Sequence, residues 1–333
     1  MQLGARVVGY EKKASGGVIA LVEHATRAWD LAFYSVPLSA GDRILTSVAE
    51  YAANYVAFLH AARRTGAVVE VIPNDATGQV DVAALERMID DRVRLVAINH
   101  VPTNTGLVNP AAAIGRVTRE AGVLYLLDAC QSIGQMPIDV AEIGCDMMSS
   151  TGRKFLRGPR GTGFLFVRSD ALDRIDPPML DHHGAEWVTR DEYAMRADAR
   201  RFENWEASYA CRLGLGAAID YAMSWGMEAI RERAWGLAAT LRTRLADVRG
   251  VTVRDIGVEQ CAITTFTVEG RDAGTIKQAC AERRMNVTVS DAFSARIDME
   301  ERGLAEGVVR ASVHYYNTED EVERFVAAIE ELA

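Results

Sequence analysis

The chain has 333 residues, 49% of them apolar and 25% charged, with a formal net charge of -9 and a pI near 5.3. That is the balance of an ordinary globular protein, long enough for one large domain or two. The acidic balance argues against nucleic acid or an anionic membrane as the main partner. The opening "MQLGARVVGYEKKASGG" lacks the layout of a signal peptide, and no apolar run approaches a membrane span, so the expectation is a cytoplasmic protein.

Between residues 18 and 168 short apolar runs alternate with helical patterns of ten to fifteen residues. The strand-like runs are "VIALV", "RILTS", "AVVEVI", "RLVAIN", "VLYLLD" and "GFLFV". Between them, stretches such as "EYAANYVAFLHAARRTG" and "NPAAAIGRVTREAG" repeat apolar residues at helical spacing and stop at glycine. Repeated strand–helix–strand units predict an α/β fold around a mostly parallel sheet covered on both faces. Two long helical patterns then run nearly back to back from residue 207 to 246. After them the texture changes to short strands and two helices. The expected organisation is a large domain over residues 1–230 and a small α+β domain over 231–333.

Five cysteines, at positions 130, 145, 211, 261 and 280, are scattered and odd in number, with no C-x-x-C pair. Reduced thiols fit that pattern better than a disulfide framework or a zinc site. His182 and His183 have only Asp181 near them at ligand spacing, so they read as a surface or supporting pair and no metal is expected.

Lysine is rare here. Of 37 basic residues only Lys12, Lys13, Lys154 and Lys277 are lysine. Lys12 and Lys13 sit in the polar opening and Lys277 on an amphipathic helical pattern. Lys154 stands among glycines and threonine in "SSTGRKFLRGPRGTG". Arginine cannot lose its proton near neutral pH, whereas a lysine can become the neutral amine that attacks carbonyls.

Other candidate residues lie just past predicted strands, where α/β sheets gather their ligands. Asp128 ends "VLYLLD" and Gln131 follows it. Asp128 is either a helix N-cap or a half-buried carboxylate that needs a cationic or N–H partner. His100 reads first as a structural histidine. Thr26 either caps a helix or meets a phosphate at that helix N-terminus. Tyr51 is an aromatic on a helix face or a flat ring for a heterocycle. No G-x-G-x-x-G opens a helix, and "GPRGTG" lacks the Lys-Ser/Thr of a phosphate loop, which weakens a nicotinamide or nucleotide reading.

The order and spacing of Thr26, Tyr51, "NHVPTNTG", "LLDACQSIGQMPIDVAEIGCD" and "SSTGRKFLRGPRGTG" resemble the class V aminotransferase family of pyridoxal phosphate enzymes. That family includes cysteine desulfurases, selenocysteine lyases, kynureninase, isopenicillin N epimerase and the carbon–sulfur lyase of ergothioneine biosynthesis. The resemblance runs from about residue 20 to the C-terminus. It implies the PLP-dependent transferase fold type I, aspartate aminotransferase-like, and a homodimer with a shared active site. Lys154 would carry pyridoxal 5'-phosphate as a Schiff base, and Asp128 would pair with the ring nitrogen. Gln131 and Thr103 would reach the ring hydroxyl side, Tyr51 would stack on the ring, and Ala25, Thr26, Thr151 and Arg153 would hold the phosphate. Arg310 would clamp the carboxylate of an amino-acid substrate.

The departures shape the expected reaction. Desulfurases carry a nucleophilic cysteine on a loop before the carboxylate arginine, and "SDAFSARIDMEERGLAEGVV" has none. Glu206 aligns where a threonine or serine usually reaches the partner's phosphate, so either Trp205 or Arg201 takes that contact or the alignment is off by a residue. Fewer residues precede the first strand than in relatives: the chain is a naturally trimmed form, or lacks further residues, and only if it is complete would the pocket be open on one side. The expected activity is a β-eliminating carbon–sulfur lyase, cysteine desulfurase-like without the loop cysteine. An aminotransferase or epimerase of the same family, or a catalytically weak cofactor-binding protein, are the alternatives.

Overall fold

Residues 16–333 are described by a computed structural model; Lys12, Lys13 and the rest of the polar opening lie outside the described residues. Seven strands form the main sheet: β1 (Gly17–Val22), β2 (Arg43–Ser47), β3 (Val68–Ile72), β4 (Val93–Asn99), β5 (Leu124–Asp128), β6 (Met147–Thr151) and β7 (Gly163–Arg168). Their spatial order is β1-β7-β6-β5-β4-β2-β3. The run from β6 to β3 pairs in parallel, while β7 is antiparallel to both β6 and β1.

Every residue of β2, β5 and β6 is buried, as a sheet covered on both faces requires. Successive residues alternate between two cores. Val96 and Ile98 of β4 pack with Ile114 of α4 (Ala111–Glu120) and Val140 of α5 (Val140–Ile143) on one face. Leu95 and Ala97 pack on the other with Trp29 of α1 (Ala25–Phe33) and Phe58 of α2 (Ala52–Thr65). The short α3 (Val82–Met88) adds Leu85 to the first of these cores.

A hairpin of β8 (Ala185–Trp187) and β9 (Tyr193–Met195) leads to the long helices α6 (Tyr209–Trp225) and α7 (Met227–Ala246). The second unit is an antiparallel sheet of β10 (Val251–Val253), β11 (Ile263–Val268), β13 (Val308–Ser312) and β12 (Thr288–Ser290), in that spatial order. Helices α8 (Ala273–Glu282), α9 (Arg296–Glu301) and α10 (Glu319–Leu332) complete it. Phe266 and Val309 of that sheet bury against Leu241, Ile276 and Ile329. Helix α7 joins both units, with Ile230 in the core of the large sheet and Leu241 in that of the small one.

This is the mostly parallel α/β layer with a smaller α+β unit that the alternation predicts. Two features depart from the sequence reading. The strand "MMSST", β6, carries three polar residues yet is wholly buried, so its composition gives no strand signal. The run "GFLFV" is the antiparallel member of the sheet. Among the described residues no helix is long and apolar enough to cross a membrane.

Candidate active site

The parallel strands deliver their carboxyl ends to one side of the sheet, and a cavity of about 260 Å³ opens there. Asn99 ends β4, Asp128 ends β5 and Thr151 ends β6, with Asn99 and Asp128 in register. Lys154 follows Thr151 by one turn of chain. Ala25 and Thr26 open α1, Tyr51 precedes α2, and Thr103 and Gln131 stand in the connections after β4 and β5. All of these, with Arg153, line the cavity.

The β5 carboxylate is 5% exposed and fixed from two sides. Its Oδ1 accepts the Cys130 backbone N–H at 2.9 Å, and its Oδ2 accepts Asn54 Nδ2 at 3.0 Å. Asp128 therefore caps no helix and is the half-buried carboxylate of the sequence reading. His100 donates its backbone N–H to the Asp128 carbonyl at 3.0 Å. Its ring is buried, and burial pulls its pKa down to about 4, which keeps it neutral. It is a structural residue.

At the α1 terminus the N-cap is His24, whose Nδ1 accepts the Arg27 N–H at 3.1 Å. Thr26 is thus free of the capping job. The first N–H groups of a helix have no intrahelical partner, so Ala25 and Thr26 offer donors at the positive end of the helix dipole. Tyr51 sits in extended conformation ahead of α2 rather than on the helix face, 39% exposed.

Arg310, on β13, does not line the cavity itself. Its Nη1 donates to Thr103 Oγ1 at 2.9 Å, and Gln131 Nε2 donates to the same oxygen at 3.2 Å. Burial lowers the pKa of the guanidinium from its ordinary value, and its Nε is buried without a protein partner among the described residues. An anion beside it would relieve both conditions.

Several lining residues carry no signal of their own in the sequence. Trp29 and Asn99 line the cavity, and among the described residues the buried Trp29 Nε1 and Asn99 Oδ1 have no hydrogen-bond partner. Cys130 also lines it, its thiol pushed well above the ordinary range by burial and then by Asp128. Asn54 and its neighbour Glu50 were legible only as an i, i+4 pair at a helix start in "EYAAN". Arg201, expected as a phosphate contact, donates instead to the Arg196 and Leu172 carbonyls at 2.8 and 3.0 Å. Trp205 stacks on His182, ring centroids 4.8 Å apart.

The donor set fits pyridoxal phosphate. An amine and a fixed carboxylate line one cavity, a helix N-terminus with threonine and arginine beside it suits a phosphate, a half-exposed tyrosine lines the same space, and among the described residues buried polar atoms there lack partners.

The aminotransferase class V model matches residues 14–325. The chain is 30% identical over 322 residues to a probable cysteine desulfurase of Methanothermobacter thermautotrophicus, covering 96% of this chain and 80% of that one. It is 34% identical over 298 residues to a probable cysteine desulfurase of Xylella fastidiosa, covering 88% and 70%. The apo cysteine desulfurase of Thermococcus onnurineus superposes with a TM-score of 0.92 at 25% identity, over 99% of this chain and 82% of that one. The fold is the aspartate aminotransferase-like type I fold of pyridoxal phosphate enzymes. The chain belongs to the class V aminotransferase family, enzymes that work with pyridoxal phosphate.

Proposed function

We propose that the protein is a carbon–sulfur lyase that eliminates a sulfur leaving group from the β carbon of an α-amino acid. The observation that carries this reading is the pairing of a complete-looking amino-acid site with a cysteine-free loop. Lys154, Asp128 and Thr103 line one cavity, with Arg310 donating to Thr103 from outside its lining, while residues 290–309 hold no cysteine to accept sulfur. That loop is held against the site. Ala52 N–H donates to the Ser294 carbonyl at 2.9 Å, and Asp291 anchors the turn by accepting the Phe293 N–H at 3.0 Å.

Bound pyridoxal phosphate supplies an electron sink for the bond broken at the substrate α carbon. The Arg310 fork would hold the substrate carboxylate, oriented by Thr103 Oγ1. The Lys154 amine would take the α proton, the sulfur would leave the β carbon with its bonding pair as the α–β double bond forms, and the proton would pass to the departing sulfur. Asp128, steadied by Cys130 N–H and Asn54, would accept the ring N–H. Gln131 and Thr103 would face the ring hydroxyl, Tyr51 would stack on the ring, and Ala25, Thr26, Thr151 and Arg153 would hold the phosphate.

The same reading takes the protein as a cytoplasmic homodimer with the domain boundary near residue 230. Five free thiols fit a reducing compartment, and exposed apolar residues such as Tyr209 and Leu213 on α6 fit a subunit contact.

The test is turnover of L-cysteine, L-cystine and S-conjugates by wild type and Lys154→Ala, with absorbance of the bound cofactor followed throughout. Stoichiometric pyruvate and ammonia that vanish with Lys154→Ala are expected. A keto acid formed together with an aminated cofactor would point to an aminotransferase, inversion at the α carbon to an epimerase, and no response to any amino acid to a cofactor-binding protein without catalysis.

A further inference from the structure

Behind Asp128 lies a second carboxylate that the proposed reaction does not use. Glu50 is 3% exposed, just ahead of α2. Its Oε1 accepts the Tyr51 backbone N–H at 2.8 Å and Asn54 Nδ2 at 2.9 Å, and its Oε2 accepts the Thr46 hydroxyl at 3.0 Å. Asn54 Nδ2 also donates to Asp128 Oδ2 at 3.0 Å. One side-chain amide thus spends both of its hydrogens on two carboxylates. That assigns the amide without ambiguity, since its oxygen in that place would face carboxylate oxygens.

We propose that Glu50 is a positioning residue of the cofactor site, acting through Asn54 and Asp128 on the proton held at the cofactor's ring nitrogen. The inference rests on the reading that Asp128 faces that nitrogen.

The electrostatics follow from the geometry. Among the described residues no cation pairs with Glu50. The charged group that faces it is Asp128, and beyond Asp128 stand the Lys154 amine, Arg153 and the buried Cys130 thiol. Two carboxylates sharing one amide in a dry site disfavour two negative charges. Burial first, and the charge of Asp128 second, raise the Glu50 pKa to about 8. Below that pH Glu50 keeps its proton, and the Thr46 hydroxyl turns to accept it. Asp128 then meets the ring N–H with an uncharged neighbour behind it. As pH rises past it, Glu50 ionises and a second negative charge tightens the hold on the ring proton. The site thereby resists losing that proton on the alkaline side.

A simple capping role for Glu50 at the start of α2 would leave the cofactor unaffected by its ionisation. The discriminating experiment titrates the holoenzyme from about pH 6 to pH 10, reading the bound-cofactor absorbance and the 15N shift of ring-labelled cofactor. Wild type is expected to show a step with a midpoint near 8, and Glu50→Gln to lose it. Thr46→Val keeps the carboxyl but removes a donor to its charged form, so its step is expected about one pH unit higher. Should Glu50→Gln not fold, the position of the Thr46→Val step decides alone. A Glu50→Gln titration that matches wild type, or a Thr46→Val step that does not move, overturns the inference while leaving the cofactor site intact. Failure of wild type to bind the cofactor at all overturns both.

Discussion

Arg310 on β13 of the small sheet donates across 2.9 Å to the hydroxyl of Thr103, which follows β4 of the large one. The same oxygen takes Gln131 Nε2. A substrate carboxylate held by Arg310, as proposed, would therefore be registered against the strand ends. Arg310→Lys keeps the charge and loses the fork, and kcat/KM is expected to fall by about 30- to 100-fold, about 2–3 kcal/mol. Thr103→Val removes the hydroxyl that both Arg310 and Gln131 donate to and is expected to cost about tenfold. Steady-state kinetics on an amino acid and on its decarboxylated amine check this: an equal loss on both would show that Arg310 does not read the carboxylate.

Tyr51 lines the cavity from the residue before α2, with no side-chain capping bond to hold it for structural reasons. Its ring face is the useful part. Tyr51→Phe is expected to bind the cofactor like wild type, and Tyr51→Ala about tenfold more weakly, about 1.4 kcal/mol. Equilibrium binding of pyridoxal phosphate to the apo protein measures it, and unchanged affinity in Tyr51→Ala would remove the stacking role.

Gly134 fixes the lysine segment from behind. Its φ is +91°, and a Cβ there would lie 2.5 Å from the Leu156 backbone nitrogen, two residues past Lys154. Gly134→Ala is expected to destabilise the fold by about 2–4 kcal/mol and to lower the yield of bound cofactor. Gly122→Ala shares the positive φ, +68°, but has nothing within 4 Å, and is expected to cost about 1 kcal/mol. Urea unfolding of both variants separates steric clash from backbone strain; equal losses would deny the clash.

Two buried histidines make the protein acid-sensitive. Burial holds both His100 and His314 at about 4, against about 6.5 in an unfolded chain. His314 donates Nε2–H to the Phe155 carbonyl at 3.1 Å and accepts the Tyr315 N–H on Nδ1 at 3.0 Å, so it is wired as the neutral ring. Between those pH values the unfolded chain binds more protons than the folded one. Stability is therefore expected to be present above about pH 6.5 and to drain away as pH falls toward 4, on the order of 2 kcal/mol per histidine. Urea midpoints of wild type and His314→Gln at pH 5 and pH 7 check it, the variant showing the smaller drop. An identical drop in both would exclude His314 as a source.

Much of this architecture is legible in the residues. Apolar runs with helical spacing between them give the parallel sheet, and Gly66, at φ +81°, ends α2 where the sequence stops its pattern. The one glycine-flanked lysine in an arginine-rich chain and the aspartate at the end of "VLYLLD" converge on one cavity. Strand β6 is not legible, because Met147, Met148, Ser149, Ser150 and Thr151 show neither alternation nor a β-branched run; only burial between β5 and β7 makes them a strand.

The sequence by itself determined what each segment could become and which side chains could do chemistry, since backbone periodicity and side-chain ionisation are local properties. The tertiary structure alone decided which groups meet. Arg310 reaches Thr103 across 207 residues of chain, Asn54 reaches Asp128 across 74, and Arg201 turns inward to two carbonyls. Such pairings depend on how sheets and helices pack to bury apolar area, and that is a property of the whole chain rather than of any window within it.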